Sequence, residues 1–288
     1  MIAIFEHELA LYYHSMRTYV FGAFLLVFTG IGALMYNINA SVANFEYVLS
    51  FISITFIILV PILTMRIMAE ERSQKTDQLL FSLPVSTTGI VIGKFLSMLV
   101  IFAIPMAIIS FYPLIFSRFG DVYLPTSYGS ILAFFLLGLA LMSMGMFVSC
   151  LTESQSMAVG ICIVVMLFAY YCDTLSEYVS STTMGSVIGL AVVIALVALI
   201  VRLLTKSNFA GILVAVVLAA AVLIAYLYDN TILEGLLPNI MGNLSLYTRF
   251  NTFVNGVFDL TALVYFVSVV IFFLFLCVQA LEKRRYNG

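Results

Sequence analysis

Glu70, Glu71, Arg72, Lys75 and Asp77 crowd into one short stretch, PILTMRIMAEERSQKTDQLLFSLPVS at residues 61–86. With Arg66 they make six of the 26 Asp, Glu, Lys and Arg residues in a chain that is otherwise mostly apolar. Mixed charges with no nucleophile or metal-binding set among them do not make a reaction centre. They can pair with charges on another protein, in water, at the end of a helix. Glu71 and Lys75 stand four residues apart in the favourable order, a pair worth only a few tenths of a kcal/mol. The Leu83-Pro84 step then ends the helix, because the residue before proline is pushed out of helical geometry.

No other residues form a better reaction centre. Gly89-Ile-Val-Ile-Gly93-Lys94-Phe95 is the nearest approach to a phosphate loop. It lacks the four-residue gap between glycines, and Phe95 stands where Ser or Thr must hold magnesium. It reads as a helix start with small residues for close packing, and Gly185 with Gly189 reads as a second packing site. Cys150, Cys162, Cys172 and Cys277 lie in or beside apolar runs without C-x-x-C spacing, and read as small hydrophobes. His7 and His14 both precede the first long apolar run, and Asp173, Glu177 and Asp229 are scattered acids that read as loop solvation. The chain is therefore expected to be non-catalytic, without a metal or cofactor of its own and unable to hydrolyse nucleotide alone.

The elements that must position the charged stretch follow from composition. The 288 residues are 64% hydrophobic and 9% charged, with mean hydropathy +1.17. A soluble domain carries roughly 25% charged residues. Eight runs are free of ionisable side chains: 18–45, 47–65, 95–117, 122–152, 154–172, 178–201, 207–228 and 260–281. Each reaches the ~17–20 residues that a helix needs to cross the hydrocarbon layer. They are continuously apolar rather than alternating, which excludes a β-barrel. Only helices satisfy their own backbone in lipid. The expected fold is an all-α polytopic membrane protein of a single domain, residues 1–288, with about eight spans. The count becomes seven if one of the two shortest runs fails to cross.

Placing both termini inside puts ten Lys and Arg residues on the cytoplasmic side and leaves only Arg118 and Arg249 outside. The acidic residues split evenly, as expected where they carry little topological weight. Three elements do not span. At residues 1–17, Ile2, Phe5, Leu9, Tyr12 and Met16 recur at helical spacing opposite Glu6, His14 and Arg17, which predicts an interfacial helix. These residues include two glutamates before any long apolar run, the wrong chemistry for a signal peptide. The second element is the charged region at 66–83, expected to continue the helix of span two. The third is the external stretch 229–259. There Leu233, Leu236, Leu237, Ile240 and Leu244 form one helical stripe, interrupted by Pro238, and Phe250, Phe253, Val254 and Val257 form another. Two short re-entrant helices fit that pattern, and a loop packed on the outer surface is the alternative.

The charge-free spans leave nothing to relay protons, so active transport by this chain needs energy from another chain. The charged stretch resembles the segment joining the second span to the first coupling helix in type-2 ABC exporter permeases. Pro61, Leu63, Thr64, Met65, Arg66, Ala69, Glu70, Glu71, Arg72, Thr76, Leu79, Leu80, Pro84 and Ser86 match that pattern. Lys75 replaces its usual Gly, and Asp77-Gln78 replaces a Glu position. Near the C-terminus, Arg249, Phe250, Phe253, Gly256 and Asp259 are similar to the R-F-x-x-F-x-x-G-V-x-D ending of the gliding-motility-type branch. The opening ELALYYHSMRTYVFGAFLLVFTG resembles that branch's interfacial helix and first span.

The resemblance implies an exporter permease in a bacterial cytoplasmic (inner) membrane, with both termini cytoplasmic. Its partners would be two ATP-binding subunits, which hold the ATP and Mg, and a second copy or sibling permease. Membrane lipid is a further partner, an accessory envelope protein is allowed, and nucleic acid is not expected. Coupling to the ATPase falls to Glu70, Glu71, Arg72, Lys75 and Asp77, with a second contact at Glu153 in the loop 151–156. The external gate region falls to Arg249, Phe250, Phe253, Gly256 and Asp259. The family core has six spans, so the extra pair is expected at 178–201 and 207–228. Two other readings stand beside this one: a nucleotide-independent channel or scaffold of an envelope assembly, and a lipid-modifying enzyme, which the missing His and carboxylate cluster disfavours.

Overall fold

The computed structural model describes residues 2–65, 67–73, 86–152, 154–178 and 236–287, with isolated positions between 189 and 220. Among the described residues there is helix and turn but no strand. The chain divides into two compact units, Met1–Tyr170 with Leu246–Gly288, and Tyr171–Ser245.

The first unit opens with α1 (Ile2–Tyr13) and α2 (Met16–Ala33), which continues as a π-helical segment, Leu34–Asn39. Then come α3 (Glu46–Ser53), α4 (Phe56–Thr64) and α5 (Ala69–Ser73). α6 (Thr87–Ile109) precedes the short α7 (Tyr112–Phe116), and α8 (Leu124–Leu151) precedes α9 (Gln155–Tyr178). In the second unit lie the end of α9 and α10 (Leu236–Leu244), where the Cys172 thiol is 3.6 Å from the Met241 carbonyl. α11 (Leu246–Val254) and α12 (Leu260–Asn287) complete the first unit.

Five helices are long and apolar enough to cross a bilayer: Met16–Asn39, Thr87–Phe116, Leu124–Leu151, Gln155–Ser176 and Leu260–Arg285. α3 and α4, bent by 60° between them, make a sixth if taken as one span. The described residues thus account for five or six spans, and the expected extra pair at 178–201 and 207–228 lies almost wholly outside them. The bend, at Ile54 and Thr55, has a local cause. The Ser53 and Thr55 hydroxyls bond the Ser50 and Ile52 carbonyls at 2.7 and 2.6 Å, in competition with the helical ladder.

α8 is the central helix, buried along most of its length, with α3, α4, α11 and α12 packed around it. Two glycines permit the closest approaches. A Cβ on Gly138 would fall 2.5 Å from the Phe102 ring, and one on Gly145 would fall 2.6 Å from Thr64 Oγ1. Phe56 stacks on Phe134 at 4.7 Å and meets Phe102 edge-on at 5.8 Å, filling the space that Gly138 leaves. The outer faces are apolar as well: on α12, Val264, Ile271, Phe272 and Phe275 are all exposed. So large an uncovered apolar surface requires lipid as solvent.

The predicted N-terminal stripe is only partly buried. Tyr12 is buried, but Ile2 and Met16 are 69% and 82% exposed. The helix breaks at His14 and Ser15, so Met16 opens α2 instead of closing α1. α1 lies along α6 with Ile4 and Leu9 against the core and turns Glu8 inward.

Candidate functional site

The charged stretch is held by a buried cation from another helix. Ser86 caps α6, its hydroxyl accepting the Gly89 amide at 3.2 Å. The helix therefore starts early enough to carry Lys94 two turns inside. Lys94 is 1% exposed, and its ammonium donates to Glu71 Oε1 at 2.5 Å, Glu8 Oε1 at 2.9 Å and the Ile67 carbonyl at 3.0 Å. A buried ammonium is tolerable only when its three protons are taken up, and here each has an acceptor. Lys94 thereby joins α1, α6 and the residues on either side of α5's first turn. Arg17 at the start of α2 reaches Glu70 at 3.7 Å, and Thr87 donates to Glu282 near the end of α12 at 2.9 Å.

The expected continuous helix from span two through the charged region does not form. α4 ends at Thr64 and α5 begins at Ala69, because side chains of α6 and α8 capture the intervening backbone groups. Ser149 Oγ accepts the Met68 and Ala69 amides at 3.3 and 3.1 Å, and Lys94 takes the Ile67 carbonyl. Arg72 Nη1 donates to the Thr152 carbonyl at 2.8 Å, fastening the far end of α5 to the end of α8. Replacing Ser149 by Ala leaves two buried amides without that acceptor and should cost about 2 kcal/mol. Thermal unfolding in lipid nanodiscs will test this, and an unchanged midpoint would refute the capping role.

Glu70, Glu71 and Arg72 thus come together on one short helix, each facing a different neighbour. Lys75 and Asp77 lie outside the described residues, as do Arg66 and Glu153. The Gly89–Lys94 sequence is the start of α6, with Gly89 and Gly93 buried, as the reading of a packed helix start required.

At the opposite end of the helices, the R-F-x-x-F-x-x-G-V-x-D sequence has a structural explanation residue by residue. The Arg249 guanidinium lies 4.3 Å from the centre of the Tyr265 ring. Phe250 and Phe253 are buried, and Phe250 meets Phe134 at 5.9 Å. Gly256, at φ +81, closes α11: its amide bonds the Phe253 carbonyl and the Val257 amide bonds that of Thr252. That paired closure needs a left-handed residue, which glycine supplies without strain. Asp259 Oδ1 accepts the Thr261 amide at 2.8 Å and opens α12. Hydrogen bonds from Thr261 hold the Asp259 carboxyl below the usual carboxylate range.

Sequence reasoning missed Lys94, Glu8, Ser149 and the Gly138–Gly145 spacing. Lys94 had a visible signal, since Ser86 is a good cap followed by an apolar helix with one lysine in it. Ser149 had none, because its partners are some 80 residues away in the chain.

A search of curated proteins returned no match to the chain. The family described as ABC-2 family transporter protein matches residues 26–172, just over half of the chain, from α2 through most of α9. The match includes the charged region, its buried lysine and the central helix. This is a multi-pass transmembrane permease component whose family works with ABC ATP-binding subunits, and the chain belongs to the ABC-2 transporter family.

Proposed function

We propose that this chain is the membrane-spanning permease subunit of an ATP-driven exporter, of the gliding-motility-type branch. It works as a pair, with itself or a sibling, on two ATP-binding subunits at the end of the helices marked by Lys94. The observation that carries this reading is the anchoring of α5. Glu71 through Lys94, Arg72 through the Thr152 carbonyl and two amides through Ser149 tie this helix to α1, α6 and α8. A force applied at 66–83 by closing ATPases would pass into the central helix through short, buried contacts. Cytoplasmic placement of this end follows the ten-to-two excess of Lys and Arg. Spans rich in Phe, Tyr and Met and free of internal charge suit a hydrophobic or amphipathic cargo such as a lipid, peptide or lipid-linked glycan.

Glu70 provides the test: its side chain is 21% exposed and lies 3.7 Å from Arg17, so the substitution must keep its shape while removing its charge. Glu70→Gln should leave membrane insertion intact and the protein folded at the assay temperature. It should also lower ATP hydrolysis by the complex assembled with its ATP-binding subunits, by about tenfold or more. Full hydrolysis by the variant complex would overturn the coupling assignment.

A further inference from the structure

A cavity of 420 Å³ lies at the Glu46 end, between the start of α8 and the turn that follows α11. Its size falls within the ~300–1,000 Å³ range of small-molecule sites. Tyr123, Phe253 and Phe258 supply aromatic walls, with Thr126, Gly129 and Gly256 between them. Phe253 and Phe258 meet edge-on at 5.6 Å, and Ser130 fixes the wall by donating to the Phe253 carbonyl at 2.9 Å. A Cβ on Gly129 would come within 3.6 Å of Phe258, and one on Gly256 within 3.7 Å of Thr126. The two glycines keep the space open.

Behind this wall sits a buried carboxylate with no counter-charge. Glu46 is 2% exposed, and its Oε1 lies 2.9 Å from Thr126 Oγ1 and 2.8 Å from Ser127 Oγ. Its other oxygen, Oε2, is buried with no hydrogen-bond partner, and no Lys, Arg or His pairs with it among the described residues. The N-terminus of α3 and the two hydroxyls account for Oε1 but not for Oε2. Thr126 is also 2.8 Å from the Tyr123 carbonyl, and a hydroxyl has one proton for two acceptors. The wall is therefore oversupplied with hydrogen-bond acceptors, in a region where an unsatisfied buried polar atom is strongly unfavourable.

We infer that this cavity binds an ammonium group carried on an amphiphile. The Thr126 hydroxyl donates to Glu46 and accepts an N–H of the ligand. The carboxylate supplies the field, and the aromatic rings receive the cation on their faces. The exposed apolar side chain of Val257, on the cavity lining, gives the tail a surface to follow. The cavity is too large for a bare metal ion, and no cluster of three metal-binding side chains occurs among the described residues. The inference is independent of nucleotide coupling, since it concerns the isolated chain.

The chain has no tryptophan, so Phe258→Trp would give a single fluorescent reporter on the cavity wall. The full chain carrying it, in phosphatidylglycerol nanodiscs, is titrated with dodecylamine, which is protonated at neutral pH, and with the uncharged dodecyl maltoside. The ammonium amphiphile should bind saturably, and about tenfold or more tighter than the neutral one. Glu46→Gln, or Thr126→Val should that variant not fold, should abolish the preference while leaving the response to the neutral amphiphile. No preference, or a preference that survives both substitutions, overturns the assignment. Repeating the titration in phosphatidylethanolamine nanodiscs identifies the source. Competition points to a resident lipid headgroup, and undiminished binding points to an amphiphile delivered to the site.

Discussion

Lys94→Met is expected to cost about 3–5 kcal/mol of stability, because it removes from a buried site the cation that Glu8 and Glu71 share. Glu8 and Glu71 have side chains only 12% and 25% exposed, so water cannot replace the ammonium without rearranging α1. The penalty comes from stranding charge, not from losing an attractive pair. The triple variant Lys94→Met with Glu8→Gln and Glu71→Gln should therefore recover most of the loss. Thermal unfolding in nanodiscs, with the double variants to complete the cycle, measures this directly. If Lys94→Met alone melts like the parent, the site is wetter than its geometry implies and the anchoring of α5 is wrong. ATP hydrolysis by the assembled complex should fall with Lys94→Met even at temperatures where the variant remains folded, because α5 then loses its bond to α6.

Gly138→Leu should be the most damaging substitution in the central helix. Even a Cβ there would lie 2.5 and 2.6 Å from Phe102 ring atoms and 3.2 Å from Phe56. The Phe102 ring cannot retreat, since it stacks on Phe135 at 5.3 Å and meets Phe21 at 6.2 Å. Overpacking of this kind costs about 1–3 kcal/mol for small insertions and more for large ones, so Ala should fall near the lower figure and Leu above it. Gly160→Ala is the control. A Cβ at Gly160 meets nothing within 4 Å, so this change should be neutral or slightly stabilising through helix propensity. Equal effects at the two glycines would mean that helix propensity, not close approach, governs these positions.

Six of the eight apolar runs correspond to helices or helix pairs of the structure, and the run 122–152 agrees with α8 to within two residues at each end. That agreement is physical: a helix in lipid must continue until its backbone reaches water, and ionisable residues mark where that happens. The charge-free run 95–117 marks only the apolar part of the third helix, since α6 begins at Thr87, where the glycines read as a helix start, and encloses Lys94. A charge inside a helix looks like a boundary unless its partners are known. Those partners, Glu8 and Glu71, stand 86 and 23 residues away. The charged stretch was read as a continuous lever for a related reason. Helix propensity at 65–73 is good, and nothing local reveals that Ser149 and Lys94 will draw off its backbone groups.

The C-terminal pattern was more legible than its interpretation. Phe250 and Phe253 are spaced for one buried helical face, and the glycine followed by an aspartate three residues later is a stop and a start signal. Of the stripe in the external stretch, Ile240 and Leu244 lie on the short helix α10 and are exposed within their own unit.

The sequence by itself determined that the chain is helical, that it lives in lipid and that its charges gather in one region, because each of these follows from composition and local periodicity. Tertiary structure alone decided which of those charges are structural. Lys94 is a buried clasp because three elements distant in sequence bring their acceptors to it. Glu46 is an unbalanced carboxylate because the same folding process brings two hydroxyls to it and, among the described residues, no cation.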